Sequence, residues 1–339
     1  MKLATYKDGS RDGQLIVVSR DLKTAHYATG IANKLQQVLD DWNFHSPQLQ
    51  DLYDALNRAG EGAASTSKAR HAFPFDPRQC MAPLPRAYQR MGSAAFANHA
   101  ALLCKADPQD ASARLPNDPL MYQGSGDNFL GACDDVVCAR ETEDIDFAAG
   151  LAVITGDVPT GVTPAQALEG VRLLMLANDM SLRKFHAVEL AKGFGFVQSI
   201  PATAFSPVAV TLDELSFNGV SAWDKGCVNL ALLSTWNGRK VGLCDAGAEM
   251  TFHFGQLLSH LCKTRPVRAG TLIGSGPVSS QDASGGYHCI AEKRALETRQ
   301  DGRPLTEFMK FGDTLKIEMK GRDGLSLFGA IEQEIVPQE

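Results

Sequence analysis

The sequence predicts an α+β protein that is mostly β, with a large C-terminal domain and a small β-rich N-terminal one. Three observations carry this. Strand-like runs at 151–155, 203–210, 227–236, 269–275, 288–293 and 313–319 outnumber the helical stretches. They do not alternate strictly with helices, which argues for a mixed β fold over a doubly wound sheet. The opening residues "LATYKDGSRDGQLIVVSRD" set Asp-Gly pairs between short apolar runs, the pattern of hairpins.

Helical spacing follows at about 31–42 ("IANKLQQVLDDW") and again at about 47–58. The small, polar stretch "RAGEGAASTSKAR" at 58–70 reads as a surface loop or linker. The domain boundary is drawn there: 1–75 as the N-terminal domain and 76–339 as the C-terminal one. "TPAQALEGVRLLMLANDMSLRK" is expected to carry a helix opened by Thr163 or Pro164, and "MTFHFGQLLSHLCK" a second, amphipathic helix. "IDFAAGLAVITGDVP", from Ile145 to Pro159, has the β-branched Val153 and Ile154 of a strand and the turn pair Gly156-Asp157. Yet Ala148, Ala149 and Gly150 fill its first half, where small residues weaken a strand.

Composition narrows the function. The 339 residues are 44% hydrophobic and 21% charged, ordinary for a globular protein. A net charge of −6 without any basic run argues against nucleic acid or anionic membrane as partner. No stretch approaches the roughly 18 apolar residues of a membrane span. The charged N-terminus does not read as a signal peptide, and the eight cysteines contain no Cys-x-x-Cys pair. A cytoplasmic protein with reduced thiols is the expectation.

Candidate chemistry is sparse when read residue by residue. "GSGPVSS" at 274–280 is glycine-rich but lacks the lysine and following helix of a phosphate loop. His253 and His260 lie seven apart, on one helix face, as a metal pair would. No acidic residue stands between them at ligand spacing, so core or surface histidines are the plainer reading. His99 follows small residues, and Glu292 is expected in an apolar strand. A carboxylate that holds an imidazole is a general-base arrangement, but sequence alone does not show that the two meet.

Several stretches, in order along the chain, together resemble the fumarylacetoacetate hydrolase family. They are "GSAAFANHA" (92–100), "DPLMYQG" (118–124), "IDFAAGLAVITGDV" (145–158), "LMLANDMSLR" (174–183), "AKGFGF" with "PATAFSPVAV" (191–210), "WNGRKVG" (236–242), "MTFHFGQLLSHL" (250–261) and "RAGTLIGSGPVS" (268–279). The resemblance implies a C-terminal domain built as a mixed β roll or sandwich, a smaller N-terminal domain, and usually a homodimer. Members typically cleave carbon–carbon bonds in β-diketo acids; others hydrate, decarboxylate or isomerise related acids. The usual site holds Mg²⁺ or Ca²⁺ between carboxylates, as a Lewis acid for the diketo oxygens.

The carry-over of site residues is selective. The family's first acidic ligand falls at Met91 or Gly92, and its Glu-x-Glu pair at Ala148 and Gly150. Asp179 alone is kept, with Met180 where a Trp is usual. The catalytic lysine falls on Ile200, with Lys192 nearby, and the threonine of a late Ser-Gly-Thr turn is Pro277. Retained are His99 as the general base, Glu292 as the carboxylate that orients it, Tyr122 as a substrate contact, and Arg183 after Asp179. No metal and no other cofactor is therefore expected. Asp146, with the strand parity of Ala148, is a remote substitute ligand. The resulting expectation is a repurposed enzyme acting without a divalent ion on a diketo or related carbonyl small molecule. His99 and Glu292 would do the acid–base work, and Tyr122, Asp179, Arg183 and Lys192 would bind the substrate. Its reaction would be carbon–carbon cleavage, dehydration, isomerisation or cyclisation. The alternatives are an inactive ligand-binding or partner subunit, and an ordinary Mg²⁺-dependent hydrolase. The small residues at 148–150 are expected to leave free volume where the ion would sit.

Overall fold

A computed structural model describes residues 1–60, 69–106 and 118–338. In chain order it begins with β1 (Lys2–Tyr6), β2 (Gln14–Val18), β3 (Thr24–Tyr27), α1 (Leu35–Asp40), α2 (Trp42–Gly60) and β4 (Phe73–Pro74). Next come β5 (Gln89–Ser93), α3 (Ala97–Ala106), β6 (Met121–Gly124), β7 (Val136–Cys138), β8 (Ile145–Asp146) and β9 (Ala149–Thr155). They are followed by α4 (Pro164–Leu168), β10 (Val171–Leu182), α5 (Arg183–Lys192), β11 (Ala202–Phe205) and β12 (Ala209–Val210). Two small hairpins, β13 (Ser216–Phe217) with β14 (Val220–Ser221) and β15 (Trp223–Asp224) with β16 (Cys227–Val228), come after. The chain closes with β17 (Ala231–Trp236), β18 (Arg239–Asp245), α6 (Phe254–Leu261), β19 (Thr271–Pro277), α7 (Ile290–Asp301), β20 (Thr314–Met319) and β21 (Ile331–Pro337).

The architecture is the mostly β, mixed-sheet fold that the sequence predicts. One sheet runs in the order β4-β3-β2-β1-β12-β10-β9-β19-β5-β6, with β8 and β11 also paired to β10. A second sheet runs β18-β17-β20-β21-β7. The N-terminal hairpins are part of the large sheet, because β1 pairs antiparallel with β12 through Lys2↔Val210 and Leu3↔Ala209. Both faces of that sheet are buried. Ala149, Leu151, Val153, Leu174 and Leu176 share one apolar cluster with Leu232, Leu315 and Ile317 of the second sheet. Ala152, Ile154, Leu173 and Met175 join the other, with Leu35 and Val38 of α1 and Leu49 and Tyr53 of α2. Among the described residues no helix is long and apolar enough to cross a membrane.

Burial on both faces explains one departure from the sequence reading, at β10, and the other departures have local or distant causes. The helix expected after Thr163 is only α4, with Thr163 capping it by accepting from the Gln166 N–H. The apolar run that follows is β10, a twelve-residue strand buried almost throughout. A central strand covered on both sides loses the polar alternation that marks a half-exposed one, so its run of apolar residues mimics a helix face. The strand expected at 288–293 is instead the start of α7, whose N-terminus is fixed by a distant carboxylate described below. His253 does not share a helix face with His260: it is the N-cap of α6, its Nδ1 accepting from the Gly255 N–H at 3.2 Å. Arg58–Gly60 of the expected linker belong to α2, and 61–68 lie outside the described residues.

Candidate functional site

Two helices bring together His99 and Glu292, the two residues that the sequence singles out. On α3, Ala97 donates its N–H to the Thr251 hydroxyl at 3.1 Å, which fixes the first turn and sets His99 within it. On α7, the buried Asp146 carboxylate accepts from the backbone N–H groups of Ile290 (2.7 Å) and Ala291 (3.0 Å). A carboxylate at a helix N-terminus satisfies orphan donors and complements the helix dipole. That anchor places Glu292 in the first turn of α7. Where α3 and α7 pack, His99 Nδ1 lies 3.7 Å from Glu292 Oε1, with 8% and 3% of the two residues exposed. This is longer than a direct hydrogen bond, and His99 Nδ1 has no hydrogen-bond partner among the described residues. Glu292 is itself held. The Ser279 hydroxyl donates to Oε1, and Asn98 Nδ2 bonds the Ser279 hydroxyl at 2.8 Å and the Ser280 carbonyl at 2.9 Å.

Asp179 is occupied in a way the sequence reading missed. Its Oδ1 accepts from Nη2 of Arg90, a residue of β5 with only 3% of its side chain exposed, and from the Thr203 hydroxyl at 2.9 Å. Burial opposes the guanidinium charge, but the Asp179 carboxylate and the Tyr122 hydroxyl together outweigh it and raise the Arg90 pKa. Tyr122 on β6 stands opposite Gly92 in the strand pairing, and its ring passes over that residue. A Cβ at 92 would come within 2.1 Å of the ring. The Arg90 guanidinium carbon is 5.6 Å from the Tyr122 ring centre. Burial pushes the Tyr122 phenol up to about 12, so it is a proton donor at neutral pH. One signal was legible: Arg90 and Gly92 share strand parity, so an arginine stands on the face where an acid was sought.

The other expected contacts divide. Arg183 gives Nε to Asp146 Oδ2 at 2.8 Å and Nη2 to Cys289 Sγ at 3.1 Å. Asp146 is thus consumed by Arg183, Cys289 and the α7 terminus, and is no substitute ligand. Lys192 is exposed at the last position of α5. Met91 lies in the apolar core. Tyr122 makes an edge contact with Phe196 at 5.0 Å, and Phe196 stacks on His186 at 4.3 Å. Beyond His186 a cavity of about 270 Å³ opens between α3, α5 and α7, lined in part by Leu103, Arg183, His186, Ala291, Arg294 and Phe308.

The free volume expected at 148–150 is not there. A Cβ on Gly150 would lie 2.1 Å from the Gly276 carbonyl oxygen and 2.9 Å from the Ser275 hydroxyl. β19 bulges between Gly274 and Pro277, and this presses its backbone into the side-chain position of residue 150. A divalent ion of the Mg²⁺ class needs several oxygen ligands at about 2.0–2.6 Å. Here the 148 and 150 positions carry no donor side chain, Asp146 is capped, and Asp179 is neutralised by Arg90. No group of three or more His, Cys, Asp or Glu side chains among the described residues could hold an ion. The residues present do not fit the metal that the family implies.

Comparison with known proteins shows the family and the fold. Family models match in sequence: "Fumarylacetoacetase N-terminal domain 2" over residues 1–86, and "Fumarylacetoacetate (FAA) hydrolase C-terminal" over 92–336. The fumarylacetoacetate hydrolase domain-containing protein 2 homolog of Dictyostelium discoideum is 23% identical over 223 residues, 64% of this chain and 65% of that protein. The chain thus spans just under two thirds of that relative's length. A probable 2-hydroxyhepta-2,4-diene-1,7-dioate isomerase from Mycobacterium abscessus has the same fold, with a TM-score of 0.64, 17% identity and full coverage of both chains. So does maleylpyruvate hydrolase from Sphingobium sp. SYK-6, solved with manganese(II) and pyruvate, at a TM-score of 0.61, 15% identity and full coverage of both. With its C-terminal family model spanning most of its length, the chain belongs to the fumarylacetoacetate hydrolase family.

Proposed function

We propose that this chain is a metal-independent enzyme of its family, acting on a diketo or related carbonyl acid through His99 and Glu292. The observation that supports it is the buried His99–Glu292 pair, set at 3.7 Å by two helices and braced by Ser279 and Asn98. A purely structural core would not need an imidazole and a carboxylate buried side by side, since desolvating both costs stability that apolar side chains would not.

In isomerisation, His99 takes a proton from carbon α to a carbonyl and returns it to another carbon. Glu292 stabilises the imidazolium in between. In carbon–carbon cleavage, His99 takes a proton from water while the oxygen adds to the carbonyl. The carbon–carbon bond then breaks, its electron pair leaves as an enolate, and the imidazolium returns the proton to that carbon. Both routes are redox-neutral and need no further reactant. The Tyr122 hydroxyl would donate to the developing oxyanion. The cavity bordered by Arg183 and Arg294 would receive the substrate's acidic end. The isomerase and hydrolase named among the structural neighbours frame these two reactions. A cytoplasmic homodimer is the working form in this reading.

The test is turnover of a panel of acylpyruvates and unsaturated hydroxy-diacids by EDTA-dialysed protein. Metal-free turnover is expected, with His99→Ala lowering kcat by about 10²–10⁴. Full activity of His99→Ala, or activity that appears only with Mg²⁺, would sink the reading. Two observations favour the alternative of an inactive binding subunit: the Gly276 carbonyl fills the side-chain position of residue 150, and Arg90 occupies Asp179. A protein inert to the whole panel but saturable by pyruvate would support that alternative.

A further inference from the structure

A buried carboxylate must be neutralised, or it will take up a proton. Asp179 is 7% exposed, and in this chain the neutralising group is a guanidinium delivered from three strands away. Arg90 pairs with Leu272 on β19 and Gly124 on β6, so its side chain leaves β5 and must cross β19 and β9 to reach β10. Its surroundings are small. Gly124 leaves room for Nη1, which an added Cβ would approach to 2.0 Å. At Gly274 of β19, an added Cβ would face Asp179 Oδ2 at 3.8 Å with nothing nearer. An arginine, two glycines and an aspartate on four strands are needed for this arrangement, whereas a chance surface contact needs two residues.

We propose that Arg90 is the resident cation of this site. It holds, at Asp179, the position a divalent ion would need, excludes such ions, and keeps a fixed positive charge against Tyr122. The inference deepens the metal-independent reading and rests on it. Guanidinium cannot be deprotonated at any working pH and is held by its own chain, so the charge is not lost to chelators. It offers directional N–H donors in place of coordination bonds, which suits carboxylate and enolate oxygens.

The test titrates Mn²⁺ into EDTA-dialysed protein, read by calorimetry and electron paramagnetic resonance. Four proteins are compared: wild type, Asp179→Asn, Gly274→Asp, and Arg90→Met/Gly274→Asp. The double variant removes the guanidinium and sets a second carboxylate beside Asp179, where a side chain has room. Wild type is expected to bind no stoichiometric Mn²⁺, and the double variant to gain at least tenfold in affinity over Gly274→Asp alone. Stoichiometric binding by wild type that Asp179→Asn abolishes would overturn the proposal. So would a folded double variant that binds no better than the single one. If the double variant fails to fold, the melting temperature of wild type with and without Mn²⁺ decides: no rise is expected, and a rise lost in Asp179→Asn overturns the proposal. Metal-free turnover lost in His99→Ala, together with Mn²⁺ binding at Asp179, would remove this proposal and leave the functional reading. No turnover and no Mn²⁺ binding would do the reverse.

Discussion

Arg90 on β5 and Asp179 on β10 form a buried ion pair that reaches across the two strands lying between them. Breaking a buried pair from one side leaves an uncompensated charge, at a cost of about 3–5 kcal/mol. Arg90→Met is therefore expected to lose about that much stability in urea unfolding at pH 7. Arg90→Met/Asp179→Asn, which removes both charges, should recover most of it. A single variant as stable as wild type would mean that Asp179 is neutralised by something other than Arg90.

Gly150 is the second point of leverage. Its missing side chain is replaced by the Gly276 carbonyl, 2.1 Å from where a Cβ would be. Gly276 cannot easily retreat: its φ is +71°, and its own Cβ direction is closed by the Ser93 carbonyl at 2.2 Å. Even Gly150→Ala should thus destabilise by about 1–3 kcal/mol, the usual cost of overpacking, and Gly150→Glu by more. Restoring glutamates at 148 and 150 should unfold the protein before it builds a metal site. Thermal melts of the alanine and glutamate variants check this, and a Gly150→Glu protein with wild-type stability would refute it.

How much of this was legible in the sequence depends on where each cause lies. The hairpins of the first 30 residues and the cap at Thr163 are local, and the sequence states them directly. β10 was misread because its evidence is tertiary: two apolar layers cover it, so no polar alternation survives. α7 was misread as a strand because the group that fixes its start, Asp146, is 144 residues from Ile290. At the site, His99, Glu292, Tyr122 and Asp179 were found by resemblance. Arg90 stands outside those motifs, so only its strand parity with Gly92 marks it. The Gly150 cavity was inferred from side-chain size alone, and backbone from β19 fills it.

Asp146 tests how the His99–Glu292 pair is held. It touches neither His99 nor Glu292 in hydrogen bonding, yet its carboxylate fixes the turn that carries Glu292 and balances Arg183. Asp146→Ala leaves a buried guanidinium and two bare N–H groups, for an expected loss of about 3–5 kcal/mol. The milder Asp146→Asn keeps an acceptor and should fold. In that variant amide exchange at Ile290 and Ala291 should speed up relative to β9, and kcat should fall. Unchanged exchange at the start of α7 would show that the helix is anchored elsewhere.

The last prediction concerns pH. His288 is buried, with Nδ1 at 2.8 Å from the Ser234 hydroxyl and Nε2 at 3.3 Å from Cys244 Sγ. Burial pushes its pKa down from 6.5 to about 4. The direction fixes the sign. The unfolded chain takes up this proton first as pH falls, so the stability tied to a neutral His288 is complete above 6.5 and is lost progressively toward 4. Each unit in that window costs at most about 1.4 kcal/mol. Wild type should therefore lose up to about 2 kcal/mol between pH 6.5 and pH 5 from this group alone. In His288→Gln, which keeps a polar group opposite Ser234 but cannot titrate, that slope should flatten by one proton. Urea unfolding of both proteins at several pH values in this range gives the difference directly. Equal slopes would mean that His288 already takes a proton in the folded state, with Ser234 or Cys244 turned to accept from it.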